Sequence, residues 1–263
     1  MALRRFYLSP RQRNLSDAFL DGEEARHVLK VLRLGLNDAL IVFDGTGWEG
    51  LARITRVEGK RIYFSLQEQR FQPNDSPLKI SLALPLIRPQ LLEWVLEKGT
   101  ELGVSLFIPY YSAYSGPKAA SKEGSGRRGR WERIISGAGK QCGRNRLPIL
   151  ENPASFDRVL ETRVAGPRLI PYEEENAYTF RNLADKIPKA EEVLVCIGPE
   201  GGFSPEEIRL AREKNFLPFS LGPRILRSET AALAVVTLLQ FAWGDLSDPT
   251  PAGRDWPNIH EEQ

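Results

Sequence analysis

Two cysteines, two histidines and no long apolar run set the first limits on this sequence of 263 residues. With only Cys142 and Cys196, no disulfide framework is implied, and a reducing, cytoplasmic setting is the expectation. His27 and His260 are too few for a zinc site of the usual kind or a Ser-His-Asp triad, so no metal is expected. No stretch approaches the roughly 18 apolar residues that a membrane span requires, which excludes insertion into a bilayer. The leading Met1-Ala2-Leu3-Arg4-Arg5-Phe6 lacks the apolar stretch and small-residue cleavage site of a secretory signal. A G-x-x-x-x-G-K-[ST] phosphate loop is missing too, so nucleoside triphosphates are not indicated.

What is there is ordinary in amount and uneven in placement. A hydrophobic content of 41% and a charged content of 27% suit a globular chain, and the length suits two modest domains. The net charge of +2 hides a concentration. Between Gly116 and Arg146 stand Lys118, Lys122, Arg127, Arg128, Arg130, Arg133, Lys140, Arg144 and Arg146, against Glu123 and Glu132 alone. Such a cluster is the footprint of polyanion binding, with a solvated basic loop as the alternative.

Residues 1–72 read as a small β-rich unit, with strands near Leu3–Leu8, Ala39–Asp44, Trp48–Val57 and Arg61–Gln67; turns at Gly45, Gly47 and Gly59 make the last three antiparallel. One short helix interrupts them. Asp21 with Glu24 resembles a capping box, His27, Val28, Val31 and Leu32 supply apolar spacing, and Arg26, Lys30 and Arg33 form a basic face. The stretch Gln69–Pro77 has a linker's composition. From 73 to 246 strands alternate with helices, which predicts an α/β domain with a largely parallel sheet. The strands fall near 79–86, 105–109, 168–171, 193–197 and 219, and the helices near 90–102, 129–141, 205–214 and 229–243. Residues 247–263, with Pro249, Pro251 and Pro257, read as a loosely held tail.

Two segments carry chemistry. The strand Val193–Ile197 runs into Gly198-Pro199-Glu200-Gly201-Gly202, and Ser204-Pro205-Glu206-Glu207 then opens a helix with a capping box. A glycine-rich turn at a strand's carboxyl end is where open α/β sheets bind ligands, although a tight turn without ligand would read the same way. The turn is not the dinucleotide G-x-G-x-x-G pattern. In the second segment, Leu221-Gly222-Pro223-Arg224-Ile225-Leu226 leads to Arg227, Glu229 and Thr230 at the opening of an apolar helix, a position suited to polar or anionic groups. Helix-end charges in a salt bridge are the alternative.

The strings EKGTELGV (97–104), QCGRNR (141–146), IGPEGGFS (197–204) and LGPRILRSETAAL (221–233), in this order, resemble the RsmE family of SPOUT RNA methyltransferases. RRFYL, HVLKVLRL (27–34) and VFDG (42–45) are similar to its N-terminal part, so the resemblance covers roughly residues 4–246. It implies an N-terminal PUA-like β-barrel that assists RNA binding and a C-terminal domain tied in a deep trefoil knot. It further implies S-adenosyl-L-methionine (SAM) as cofactor, N3 of a uridine in 16S ribosomal RNA as target, and a homodimer with a shared site. On that resemblance SAM is held by Gly198, Pro199, Glu200, Gly201, Gly202, Leu221, Gly222, Ile225 and Leu226, with the strand end near 170–172 beside the adenine. Arg227, Glu229 and Arg144 are the expected catalytic residues, and Arg26, Lys30, Arg33, Arg128, Arg130 and Arg146 the expected RNA contacts. Replacing Gly201 is expected to place a Cβ in approach space or in an unfavourable φ region. Two departures bear on substrate contacts. Ser112-Ala113-Tyr114-Ser115 stands where relatives carry Ser/Thr-Glu-Arg-Ser/Cys, and Lys140 stands where an acidic residue is common. Another RNA target, a non-catalytic RNA-binding module and a metabolic nucleotide enzyme are the competing readings.

Overall fold

The structure is a computed structural model that describes residues 3–13, 15, 17–71, 74–114, 124–187 and 189–247. Lys118, Lys122 and Glu123 of the basic cluster, Ser115, and the tail from 248 lie outside the described residues. The chain divides into two compact units. The first holds the residues up to Asn74 together with Gly143–Arg146, and the second holds Asp75–Cys142 and Leu147–Ser247.

In the first unit, β1 (Arg5–Tyr7), β2 (Phe19–Leu20), α1 (Gly22–Arg26), β3 (Ala39–Phe43), β4 (Trp48–Glu58) and β5 (Arg61–Phe71) form a five-stranded sheet ordered β1-β3-β4-β5-β2. The antiparallel run β3-β4-β5 is the one that the turn glycines predict, and β1 joins it parallel to β3. β2 is two residues long, too short to leave an alternating pattern. Phe6, Leu20, Val28, Val42, Ile54 and Ile62 are buried and form the heart of the unit's core. Strand β5 continues to Phe71, so the linker-like composition from Gln69 begins inside a strand.

The short helix departs from its expected form. Asp21 occupies the N-cap but makes no side-chain cap bond, and after α1 the chain continues as a π-helical segment over His27–Leu32. The wider i→i+5 turn shifts the phase of the apolar stripe. Val28 is therefore fully buried while Val31, inward on a 3.6-residue period, is 66% exposed. Arg33 ends the segment with a left-handed backbone, φ 55°.

The second unit contains β6 (Lys79–Pro85), α2 (Pro89–Glu101), β7 (Val104–Tyr111), α3 (Gly124–Cys142), β8 (Ile149–Leu150), β9 (Ala154–Ser155), α4 (Phe156–Leu160), β10 (Arg168–Pro171), α5 (Phe180–Lys186), β11 (Glu192–Cys196), α6 (Pro205–Glu213), β12 (Phe216–Phe219) and α7 (Ser228–Trp243). Its sheet runs β12-β10-β11-β6-β7-β8, with β9 also on β7, and every pairing is parallel. A parallel sheet is covered on both faces, so its central strands read as unbroken apolar runs. Val193-Leu194-Val195-Cys196 shows the consequence. Val193 and Val195 pack into one core cluster with residues of α2 and α7, while Leu194 and Cys196 pack into another with residues of α4 and α6. The capping box that opens α6 forms with both bonds: the Glu207 N–H donates to Ser204 Oγ at 3.2 Å, and the Ser204 N–H donates to Glu207 Oε2 at 2.9 Å. Among the described residues no helix is long and apolar enough to cross a membrane.

Candidate active site

Three neighbouring parallel strands, β12, β10 and β11, end side by side, and the loops leaving their carboxyl ends are tied together. The Tyr172 N–H donates to Phe219 O at 3.0 Å and the Ser220 N–H to Tyr178 O at 2.8 Å, which joins the loop after β10 to the loop after β12. Ser228, the first residue of α7, donates its hydroxyl to Gly198 O at 2.7 Å, which joins the same loop to the one after β11.

Two glycines here have a conformational reason. Gly202 has φ +74°, and a Cβ on it would lie 2.6 Å from Glu173 Oε1; Gly222 has φ +110°. Gly201 has no such backbone, which corrects the expectation of an unfavourable φ; a Cβ there would meet Tyr114 Cβ at 3.3 Å. Tyr114, in the departed segment after β7, thus lies against the glycine turn and is 55% exposed. The segment is held by Glu207, whose Oε1 accepts from Ser112 Oγ at 2.8 Å and from the Ala113 N–H at 3.0 Å. Behind the turn, the Tyr110 hydroxyl donates to Ile197 O. Burial raises the Tyr110 hydroxyl's pKa well above its ordinary value and pushes the Cys196 thiol up to about 12, so both stay neutral. Glu207, Tyr110, Ser112, Ser228 and Glu173 are not foreseen as site residues. Only the capping-box spacing of Glu207 gives any sign in the sequence.

The second segment mixes apolar and charged groups. Ile225 is 87% exposed, Leu221 and Leu226 are half-buried, and Arg227 is exposed. Glu229 is only 7% exposed, and its Oε2 has no hydrogen-bond partner among the described residues. A buried carboxylate oxygen left unpaired costs about 1–3 kcal/mol or more, and a bound cationic or proton-donating group would remove that cost. These features fit SAM. Positive-φ glycines open the backbone to it, an exposed Ile225 offers apolar surface to a purine or thioether, and a buried carboxylate suits a neighbouring positive charge. Among the described residues no cluster of His, Cys, Asp and Glu could hold a metal ion.

The remaining expected residues fall elsewhere. Arg144 and Arg146 belong to the first unit, where Gly143–Arg146 is held by Asn74: its Nδ2 donates to Gly143 O at 2.7 Å, and its Oδ1 accepts from the Asn145 N–H at 3.0 Å. The Gly47 N–H donates to Asn145 O at 3.0 Å, Arg146 Nε donates to Thr46 O at 3.3 Å, and Arg144 is 7% exposed. Arg26, Lys30 and Arg33 are all exposed on the first unit. Arg128 and Arg130 on α3 are engaged within the second unit. Arg128 donates to Leu150 O at 2.8 Å and Asn152 Oδ1 at 2.9 Å and pairs with Glu132, while Arg130 grips Glu93 with contacts of 2.6 and 2.8 Å.

The fold thus consists of a parallel α/β unit, with glycine-rich loops at its carboxyl edge as the candidate ligand site, and a separate small β-rich unit. Residues 74–240 match the RNA methyltransferase domain and residues 20–67 the RNA methyltransferase PUA domain. The chain belongs to the ribosomal RNA small subunit methyltransferase E (RsmE) family. It is 31% identical over 221 residues to that protein from Buchnera aphidicola subsp. Schizaphis graminum, covering 84% of this chain and 89% of the relative. With the Bacillus subtilis protein of the same name it shares 29% over 247 residues, 91% and 96% of the two chains. Among solved structures, Lpg2936 from Legionella pneumophila, a complex with SAM, superposes with TM-score 0.84 at 35% identity, covering 94% of this chain and all of that one. A ribosomal RNA small subunit methyltransferase E from Neisseria gonorrhoeae bound to SAM gives TM-score 0.81 at 30% identity, with 93% and 99% covered. The chain is thus an N-terminal PUA-like domain followed by an α/β methyltransferase core.

Proposed function

We propose that this protein transfers the methyl group of SAM to N3 of a uridine in 16S ribosomal RNA of the small ribosomal subunit. The observation that carries the reading is the convergence of three tied loops on a positive-φ glycine turn beside the buried Glu229. Gly198–Gly202 and Leu221–Leu226 would hold SAM, whose sulfonium supplies an electrophilic methyl group. Uridine N3 carries a proton at neutral pH, which must leave for the nitrogen to act as nucleophile. Glu229 Oε2 is the acceptor that fits, and Arg227 stabilises negative charge on the uracil oxygens. Arg144 positions the target.

The finer architecture belongs to the same proposal. The N-terminal unit closes as a PUA-like barrel, and the catalytic domain is a deep trefoil knot. In favour of the knot, β12 lies beyond β10 from β11, and the chain after β12 returns to Gly198 through Ser228. A homodimer is supported by the outer face of α7, where Phe241 is 65% exposed and Ala234 and Leu238 are half-buried, and by Trp94 on α2 at 43%. Purified protein, labelled SAM and 16S ribosomal RNA from cells lacking the gene test the reaction. Label recovered as N3-methyluridine is the expected result, and label at another position or none would remove the reading.

A further inference from the structure

The outer face of β4, β5 and β2 carries a row of side chains that the proposed function does not use. Tyr63 on β5 stands opposite Phe19 on one side and opposite Arg56 on the other. The two rings lie 5.7 Å apart between centroids, the Arg56 guanidinium carbon is 4.1 Å from the centroid of Tyr63, and that of Arg61 is 4.6 Å from the centroid of Phe19. The result is a continuous row of arginine, two rings and arginine across three strands. A β-bulge creates it. The register shifts between Ile54 and Arg56, so Thr55 is an extra residue and Arg56 is re-aimed to face Tyr63.

Other cation–π arginines of this unit serve its interior. Arg5 and Arg13 sit over Phe43 and Trp48, but each also pairs with a buried carboxylate, Glu49 or Asp44. Arg56 and Arg61 differ. Both are exposed; Arg61 has no ion pair among the described residues, and the Arg56–Glu58 pair, at 49% and 56% exposure, is largely screened by water. A guanidinium held over a ring has already lost side-chain freedom, so it is a prepared surface for a further planar group.

We infer that this row binds unpaired nucleotides of RNA, with bases stacking on the guanidinium planes of Arg56 and Arg61 and adjacent phosphates meeting their charge. The inference rests on the proposed RNA substrate. Flat π surfaces favour splayed bases over duplex, whose bases are hidden in the stack. They also favour RNA over an acidic peptide, whose carboxylates would use only the guanidinium edges. Arg26, Lys30 and Arg33 are exposed charges outside this row of stacked rings and guanidiniums.

The test uses the full chain with two paired variants, Arg56→Gln with Arg61→Gln and Arg56→Lys with Arg61→Lys, plus Tyr63→Phe. Dissociation constants for 16S ribosomal RNA and for a single-stranded polyuridine oligonucleotide are measured over a range of salt, alongside SAM affinity and methylation kinetics. The glutamine pair should weaken RNA binding at least about fivefold and flatten its salt slope by about 1 to 2. The lysine pair should lose affinity while keeping the slope, and Tyr63→Phe should bind as the unaltered protein does. SAM affinity and kcat should stay level while KM for RNA rises. Unchanged RNA binding in either pair would overturn the inference, the lysine result by showing charge alone at work. Methylation that persists while binding ignores these residues condemns this surface, whereas binding that depends on them without any methylation condemns the proposed reaction instead.

Discussion

Glu229 combines 7% exposure with an oxygen that lacks a hydrogen-bond partner among the described residues. Its replacement by Gln keeps the shape and removes the proton acceptor, so Glu229→Gln should lower kcat at saturating SAM by about a hundredfold or more, the usual range for a lost general base. A kcat within twofold of the unaltered protein would assign the proton to another group. Arg128 makes the opposite case. Its charge reads as RNA-binding in the sequence, and in the fold it also holds the Leu150 carbonyl and Asn152. Arg128→Ala should therefore cost about 1–2 kcal/mol in denaturant unfolding through the two hydrogen bonds, with its half-exposed Glu132 pair adding little. An unchanged unfolding midpoint would show that these two hydrogen bonds add nothing to the stability of the fold. A string of letters records the charge of such a residue but not the partner that has already claimed it.

At the scale of elements, most strands and the longer helices around the sheet were legible because their periods are clean, while α5 was missed despite its Thr179 and Asn182 capping box. β10 spans Arg168–Pro171, the bounds expected from the sequence, and α6 starts at the Ser204 and Glu207 capping box. Short pieces such as β8, β9 and α4 were not legible, since two to five residues carry no period. The π-helical segment after α1 misleads for a different reason: one wider turn rotates Val31 out of the stripe that its spacing promises. The glycine turn was legible as a turn between a strand and a capped helix. Its contact with Tyr114 was not, because Glu207 brings the two loops together across 94 residues of sequence. That contact makes Gly201→Val informative. The valine methyls would have to displace Tyr114, so SAM binding should be lost while the N-terminal unit keeps its fold. Calorimetry with SAM, read beside circular dichroism, decides the point, and retained affinity would take Gly201 out of the site.

For the whole molecule, Gly143–Arg146 is the telling segment. It follows α3 in the chain but packs with the first unit through Asn74 and Gly47, so Arg144 and the glycine-rich loops belong to different units of the fold. No periodicity could announce this, since the segment is four residues long. If a homodimer shares its sites, a Gly201→Val chain and an Arg144→Ala chain, each inactive alone, should partly restore activity in mixed dimers. Mixed dimers that form and stay inactive would show that each subunit completes its own site. The central claim, methylation of one uridine of small-subunit ribosomal RNA, is tested most directly in cells. Ribosomal RNA is mapped for N3-methyluridine in a strain lacking this protein, with and without restoration of the intact chain and of the Glu229→Gln chain. One methylated uridine in 16S ribosomal RNA should vanish with the deletion, return with the intact chain and fail to return with the variant. A 16S ribosomal RNA whose methylation is identical in the parent strain, the deletion and both restored strains would contradict the account.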